Sequence, residues 1–211
     1  VGLLSIRKTE LPASRVTTAP RPEPYQSQGA FGALLSRYRC LSCHQMRGSG
    51  GTLSTVPLDR IGSQLQRPYL VDYLQDPGAV RVSIEERMPR FGMTADEART
   101  LADYMATVFV DDSLERPFRP DPEAARRGER LFGALGCRSC HIVGGRGGYV
   151  GPDLDDSGRR LKPGWIEAWL MAPERWKPGT LQPNYGRKAE EAQDLATYLM
   201  GLTSGGAGRT P

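Results

Sequence analysis

Histidine and cysteine are scarce in this chain, and that scarcity decides most of its chemistry: 211 residues hold two of the first and four of the second. No apolar run approaches the roughly 20 residues that span a bilayer, and no signal peptide is visible at the N-terminus. Net charge is only +4, with Arg and Lys scattered. The lack of a basic stripe or an aromatic-interleaved basic segment argues against a nucleic-acid partner. No stretch alternates apolar and polar residues well enough to predict a strand. Apolar residues make up 38% of the chain, beside 25 Gly and 17 Pro, so the polypeptide alone predicts a lean core and many loops.

What is present is concentrated in two pentapeptides, Cys40-Leu41-Ser42-Cys43-His44 and Cys137-Arg138-Ser139-Cys140-His141. A CxxCH segment reads as a c-type haem attachment: the thiols are spaced to add across two vinyl groups of one porphyrin, and the next imidazole is placed to bind its iron. Together the pair consumes every Cys and His in the chain. A zinc ribbon would bring its second CxxC much closer than the 94 positions from Cys43 to Cys137, and the βαβ setting of a thioredoxin-like pair is absent. The prediction is two covalently bound haems c.

The rest of the chain is organised around them. Residues 1–28, with Pro12, Pro20, Pro22 and Pro24, read as an extended tether. The first residue is Val1 rather than Met, which points to processing or excision from something longer; Val1 to Ile6 reads as a disordered terminus or else the stub of a removed anchor. Residues 29–110 form a first unit: a helix over Ala30–Arg39, the haem motif, a Gly-rich loop, a helix from Pro68 stopped by Asp76-Pro77-Gly78, and a strong helix opened by the capping box Thr94-Ala95-Asp96-Glu97. Residues 111–120 read as a linker that leaves the docking angle open. Residues 121–204 repeat the order, and 205–211 read as a flexible tail. Cys40 to Cys137 spans 97 positions, Pro77 to Pro173 spans 96 and Tyr104 to Tyr198 spans 94. Such a period means two copies of one haem-wrapping unit.

With both His committed to the proximal sides, bis-histidine haem is impossible within this chain. Met88, stiffened by Pro89, is the candidate sixth ligand of the first haem. An offset of 94 places Gln182-Pro183 where the second unit should carry its Met-Pro. Gln182 binds iron weakly through its amide oxygen, stands off to leave an open haem, or yields to Met171, which reads more readily as core. Lys177 and Tyr185 are outside candidates. Met93, Met105 and Met200 read as core or helix ends, and Asp155, Asp156, Glu190 and Glu191 as solvated charges.

These residues resemble bacterial di-haem cytochromes c, two fused class I domains over about residues 29–204. The resemblance is carried by the two CxxCH motifs, Met88-Pro89 before Thr94-Ala95-Asp96-Glu97, Gly151-Pro152-Asp153-Leu154, and Pro178-Gly179-Thr180-Leu181-Gln182-Pro183-Asn184-Tyr185, which is similar to the family's PGTxMPN segment. It implies an all-α fold of two tandem class I cytochrome c-like domains, with first and last helices crossing through Gly128, Phe132 and Tyr198. It also implies that the carbonyls of Pro57 and Pro152 orient His44 and His141. Pro22-Glu23-Pro24-Tyr25 and the terminus are similar to di-haem subunits or tails of bc-type respiratory complexes.

The expected function is transfer of single electrons between a membrane respiratory donor complex and an acceptor cytochrome or terminal enzyme, in the periplasm or on the extracytoplasmic face. The expected partners are redox proteins, and the chain is not expected to be an enzyme. The alternative is a haem enzyme or small-ligand sensor that uses an open second haem.

Overall fold

A computed structural model describes residues 27–51, 56–80, 88–186 and 188–203. The tether before residue 27 and the tail after residue 203 lie outside the described residues.

The first unit begins with α1 (Gly29–Arg37), which turns Phe31 and Leu35 inward. A 3-10 turn over Cys40–Ser42 follows, then a two-residue hairpin of β1 (Gln45–Met46) and β2 (Ser49–Gly50). After it come α2 (Ile61–Gln64), α3 (Arg67–Gln75), the single turn α4 (Pro77–Val80) and α5 (Ala95–Val108). The second unit repeats this with α6 (Pro122–Ala134), a 3-10 turn over Cys137–Ser139, the hairpin β3 (Ile142–Val143) and β4 (Arg146–Gly147), α7 (Ser157–Arg160), α8 (Pro163–Met171), α9 (Pro173–Trp176) and α10 (Ala189–Met200).

The helical reading holds among the described residues, with two local differences. The hairpins are strands the sequence did not show, because two residues are too few for alternation to register. Asp76-Pro77-Gly78 stops α3 at Gln75 as expected, but Pro77 then starts the further turn α4, since Pro is tolerated at a first turn.

Helix starts follow local chemistry. Asp121 caps α6 by accepting from Glu123 N and Ala124 N, with Pro122 at the first position. At α5, Thr94 Oγ1 accepts from Glu97 N while Glu97 Oε2 accepts from Thr94 N at 2.9 Å. Glu97 also accepts from Tyr38 Oη at 2.9 Å and pairs with Arg37, so the start of α5 is fastened to the end of α1. The hydrogen bonds from the Thr94 backbone and side chain, then that from Tyr38, hold the Glu97 carboxyl below its ordinary value. A depressed folded value means that this contribution is present above the unfolded value and is lost as pH falls through the folded one. Acid titration of stability should therefore show a loss below the usual carboxylate range that Glu97→Gln removes.

Each unit has its own core. Phe31, Leu70, Leu101 and Phe109 anchor the first, and Phe132, Ile166, Leu195 and Leu199 the second. In the second unit, α6 and α10 touch backbone to backbone: a Cβ on Gly128 would lie 2.0 Å from Asp194 O. Phe132 and Tyr198 pack at 5.3 Å, and Arg127 grips Asp194 through two bonds of 2.7 Å. The first unit builds this crossing differently. Phe31 takes the place of Gly128 and stacks on Tyr104 at 3.9 Å, so a ring separates α1 from α5.

The units meet through equivalent residues. Leu65 and Leu161 form an antiparallel bridge; Gln66 N donates to Arg160 O at 2.9 Å and Lys162 N to Gln64 O at 3.0 Å. An offset of 96 exchanges the two bonds, so the contact has approximate two-fold symmetry. Within the connecting residues 111–120 the start is ordered, while 115–120 are exposed and without regular structure. Asp112–Leu114 form a 3-10 turn, and Leu114 is buried.

Candidate functional site

Each CxxCH segment is wound tightly by its own backbone. Cys40 O accepts from Cys43 N and His44 N at 3.2 and 2.9 Å; Cys137 O accepts from Cys140 N and His141 N at 3.2 and 3.0 Å. The winding begins from a left-handed residue in both units, Arg39 (φ 52°) and Gly136 (φ 66°). All four cysteines are half-buried thiols outside any disulfide. Burial pushes the Cys40 and Cys137 thiols up, which keeps them protonated.

The imidazoles are held from behind. His141 Nδ1 lies 2.7 Å from Pro152 O, and His44 Nδ1 lies 2.8 Å from Val56 O. The carbonyl facing His44 is therefore Val56 and not Pro57. The repeat offset between His44 and His141 is 97 but shrinks to 96 after the Gly-rich loop, so Val56 is the counterpart of Pro152. A carbonyl can only accept, so each Nδ1 carries its hydrogen and each Nε2 keeps the lone pair that a metal needs.

A pair of aspartates, missed as functional by the sequence reading, fixes these carbonyl-bearing segments. Asp155 is buried and accepts from Gly144 N and, at 3.3 Å, from Gly145 N. Its counterpart Asp59 accepts from Arg47 N at 2.6 Å. Asp155 is thus no solvated loop charge. Each Asp lies three residues after its carbonyl residue and ties it to the turn that follows the histidine. That shared spacing was the signal available.

On the other side of His141, Gln182 Oε1 lies 3.3 Å from Nε2, and Gln182 N donates to Thr180 Oγ1 at 3.2 Å. The two side chains face each other at hydrogen-bond distance, which puts the Gln182 amide on the Nε2 side of the imidazole. Met88 is half-buried against the first core beside Phe91. Met171 is 43% exposed and so is not core, and Lys177 is exposed. Tyr185 lies by the thiols: its hydroxyl donates to Leu135 O at 3.4 Å, and burial first, then Cys137 and Cys140, raises its pKa. Met93 and Met105 are buried in the first core.

The residues present fit a haem. Two thiols and one imidazole with its lone pair exposed form the donor set, and Gly151 packs so closely on the His141 ring that a Cβ there would lie 2.4 Å from Cε1 and 2.8 Å from Nε2. The flat side of the imidazole thus rests on bare backbone.

Fold and site together define a small helical domain built to hold a covalently attached haem. Residues 125–203 match the cytochrome c family, so the second unit is a cytochrome c domain. Such a domain implies covalently bound haem c and the role of an electron carrier; domains of this family are usually extracytoplasmic. Part of the chain is similar to cytochrome c oxidase subunit 2 of Alkalihalophilus pseudofirmus (strain ATCC BAA-2126 / JCM 17055 / OF4), 33% identical over 92 residues, covering 39% of this chain and 27% of that protein. That likeness suggests a respiratory link. No solved structure matches the chain. Among the described residues no helix is long and apolar enough to cross a membrane.

Proposed function

We propose that the chain is a di-haem c-type cytochrome that passes single electrons between a respiratory donor complex and an acceptor cytochrome or terminal enzyme, outside the cytoplasm. Cys40, Cys43 and His44 hold one haem c, with Met88 as its sixth ligand; Cys137, Cys140 and His141 hold the other, with Gln182 opposite. Haem c supplies a one-electron Fe(III)/Fe(II) couple when bound. The protein's part is to fix each imidazole, exclude water with the two cores and set the two potentials. The observation that carries this reading is the doubled proximal clamp, Nδ1 to carbonyl at 2.8 and 2.7 Å, with an aspartate behind each.

A thioether favours Fe(II) and raises the potential, whereas a hard amide oxygen favours Fe(III). Electrons therefore run from the second unit to the first. The direct test is haem stoichiometry after expression with c-type maturation. Two haems per chain are expected by mass and by pyridine haemochrome, falling to one in either Cys40→Ser/Cys43→Ser or Cys137→Ser/Cys140→Ser. One haem in the unaltered chain overturns the di-haem reading.

The approach of Gln182 to His141 favours a second reading, in which the weakly capped second haem takes small ligands as a sensor or enzyme. Binding of CO to the reduced protein separates the two.

A further inference from the structure

We infer that Glu115, in the segment joining the two units, is a positioning residue that locks them at one separation and angle and so sets the rate of electron transfer between the haems. The inference rests on the di-haem reading above. Its grounds are the contacts of that one carboxylate. Glu115 Oε1 accepts from Ser63 Oγ at 2.7 Å in the first unit, and Glu115 Oε2 accepts from Lys162 Nζ at 2.8 Å in the second. Ser63 is fully buried, and its hydroxyl oxygen also accepts from Asp111 N at 2.8 Å. The same hydroxyl thus ties down both ends of the turn over Asp112–Leu114.

The rest of the interface does not do this alone. The Leu65–Leu161 bridge contributes two backbone bonds, and Gln66 Nε2 adds one to Leu161 O at 3.0 Å on nearly the same line; away from it, Arg60 lies over the Trp176 ring at 5.6 Å and Arg159 over the Tyr69 ring at 5.8 Å, soft contacts that resist rotation weakly. Arg159 reaches across to Asp72 at 3.1 Å, an exposed pair that holds little; the Glu115 side chain is 38% exposed as well, but it also accepts from the buried Ser63 hydroxyl and its partner Lys162 is only 22% exposed. Arg116 and Glu167 are 3.7 Å apart, a loose pair. Glu115 bonds to both units, through Ser63 beside one side of the bridge and Lys162 beside the other, and so restrains the rotation that remains. Close packing reinforces it: Leu114 is buried, and its carbonyl lies so near α8 that a Cβ on Gly164 would be 2.0 Å away.

Tunnelling falls steeply with separation, so a fixed angle is worth more to a two-haem carrier than to two tethered ones. Lys162 follows Leu161 of the bridge directly and also donates its own backbone N–H into it. One lysine therefore couples the strut to the bridge.

The experiment uses the full haem-loaded chain and the variants Glu115→Ala, Glu115→Gln and Gly164→Ala. Haem stoichiometry is measured first, since a single haem overturns the di-haem reading and the transfer role with it. With two haems present, flash photoreduction should show single-phase transfer between haems in the unaltered protein. In Glu115→Ala the transfer should become slower and multiphasic, while the visible spectrum and midpoint potential of each haem stay unchanged. Glu115→Gln keeps the Ser63 bond and loses the Lys162 ion pair, so it should fall between. Gly164→Ala strikes Leu114 O, one residue before Glu115, from the α8 side and should reproduce the multiphasic trace. Amide exchange at Gln66 and Lys162 should quicken in Glu115→Ala, a readout independent of haem. An unchanged transfer trace with unchanged exchange in Glu115→Ala overturns the inference while leaving the di-haem reading intact.

Discussion

A methyl group added at Gly151 will unseat the His141 imidazole. The Cβ of Gly151→Ala would lie 2.4 to 2.8 Å from three atoms of that ring, closer than any non-bonded carbon can approach, and the opposing group is a rigid plane rather than the end of a flexible side chain. Either the ring swings away, breaking its 2.7 Å contact with Pro152 O, or the segment around Gly151 moves. That segment is pinned by Gly151 N donating to Cys140 O at 2.8 Å and by Asp155, so the ring should give way. Overpacking of this kind costs about 1–3 kcal/mol, and loss of an orienting partner weakens metal ligation by about 10–100-fold. The expected result is a second haem still attached through Cys137 and Cys140 but no longer low-spin, with the first unchanged. Electronic and EPR spectra of the ferric protein check it; a low-spin signal of full amplitude would mean that the ring has kept its place.

The second large effect concerns Gln182. Its amide oxygen points at His141 Nε2, and an amide is a poor partner for Fe(II). In the fully reduced protein CO should therefore bind about half of the haem, because an amide yields its place where a thioether holds it. Gln182→Met restores the Met-Pro pair that the first unit has at Met88-Pro89 and should abolish CO binding while raising the potential of the second haem. If neither haem binds CO before the change, the second iron is firmly six-coordinate and the small-ligand reading falls. If the potential drops on introducing Met, the proposed direction of electron flow is reversed.

Both predictions concern one unit, and the asymmetry is physical. The family match covers residues 125–203, where the helix crossing is made by a glycine against backbone and by Phe132 on Tyr198. The first unit replaces the glycine with Phe31. It also places Arg39 and Arg47 at φ 52° and 47°, where the second has Gly136 and Gly144 at 66° and 64°. Left-handed backbone is uncommon for a residue with a Cβ. The path of the chain is kept while the residues that usually mark it are not, which is how an equivalent fold can lie outside a sequence pattern.

The sequence by itself determined the element order and where the candidate haem-holding residues stand. Cysteine and histidine arithmetic, the period near 96, the Thr94 helix start and the presence of Gln182 where the repeat would carry Met are all local patterns, set by spacing along one chain. Tertiary structure decided what depends on register between distant segments. It set Val56 rather than Pro57 behind His44, since a one-residue shift in the preceding loop moves the carbonyl without altering any motif. It buried Asp155, whose partners are backbone amides that composition cannot reveal. It buried Leu114 and tied Glu115 to both units within the supposed linker, because Ser63 and Lys162 flank the pairing of Leu65 with Leu161. A single bridge between equivalent residues has no sequence signature, since its bonds are made by backbone groups that every residue carries.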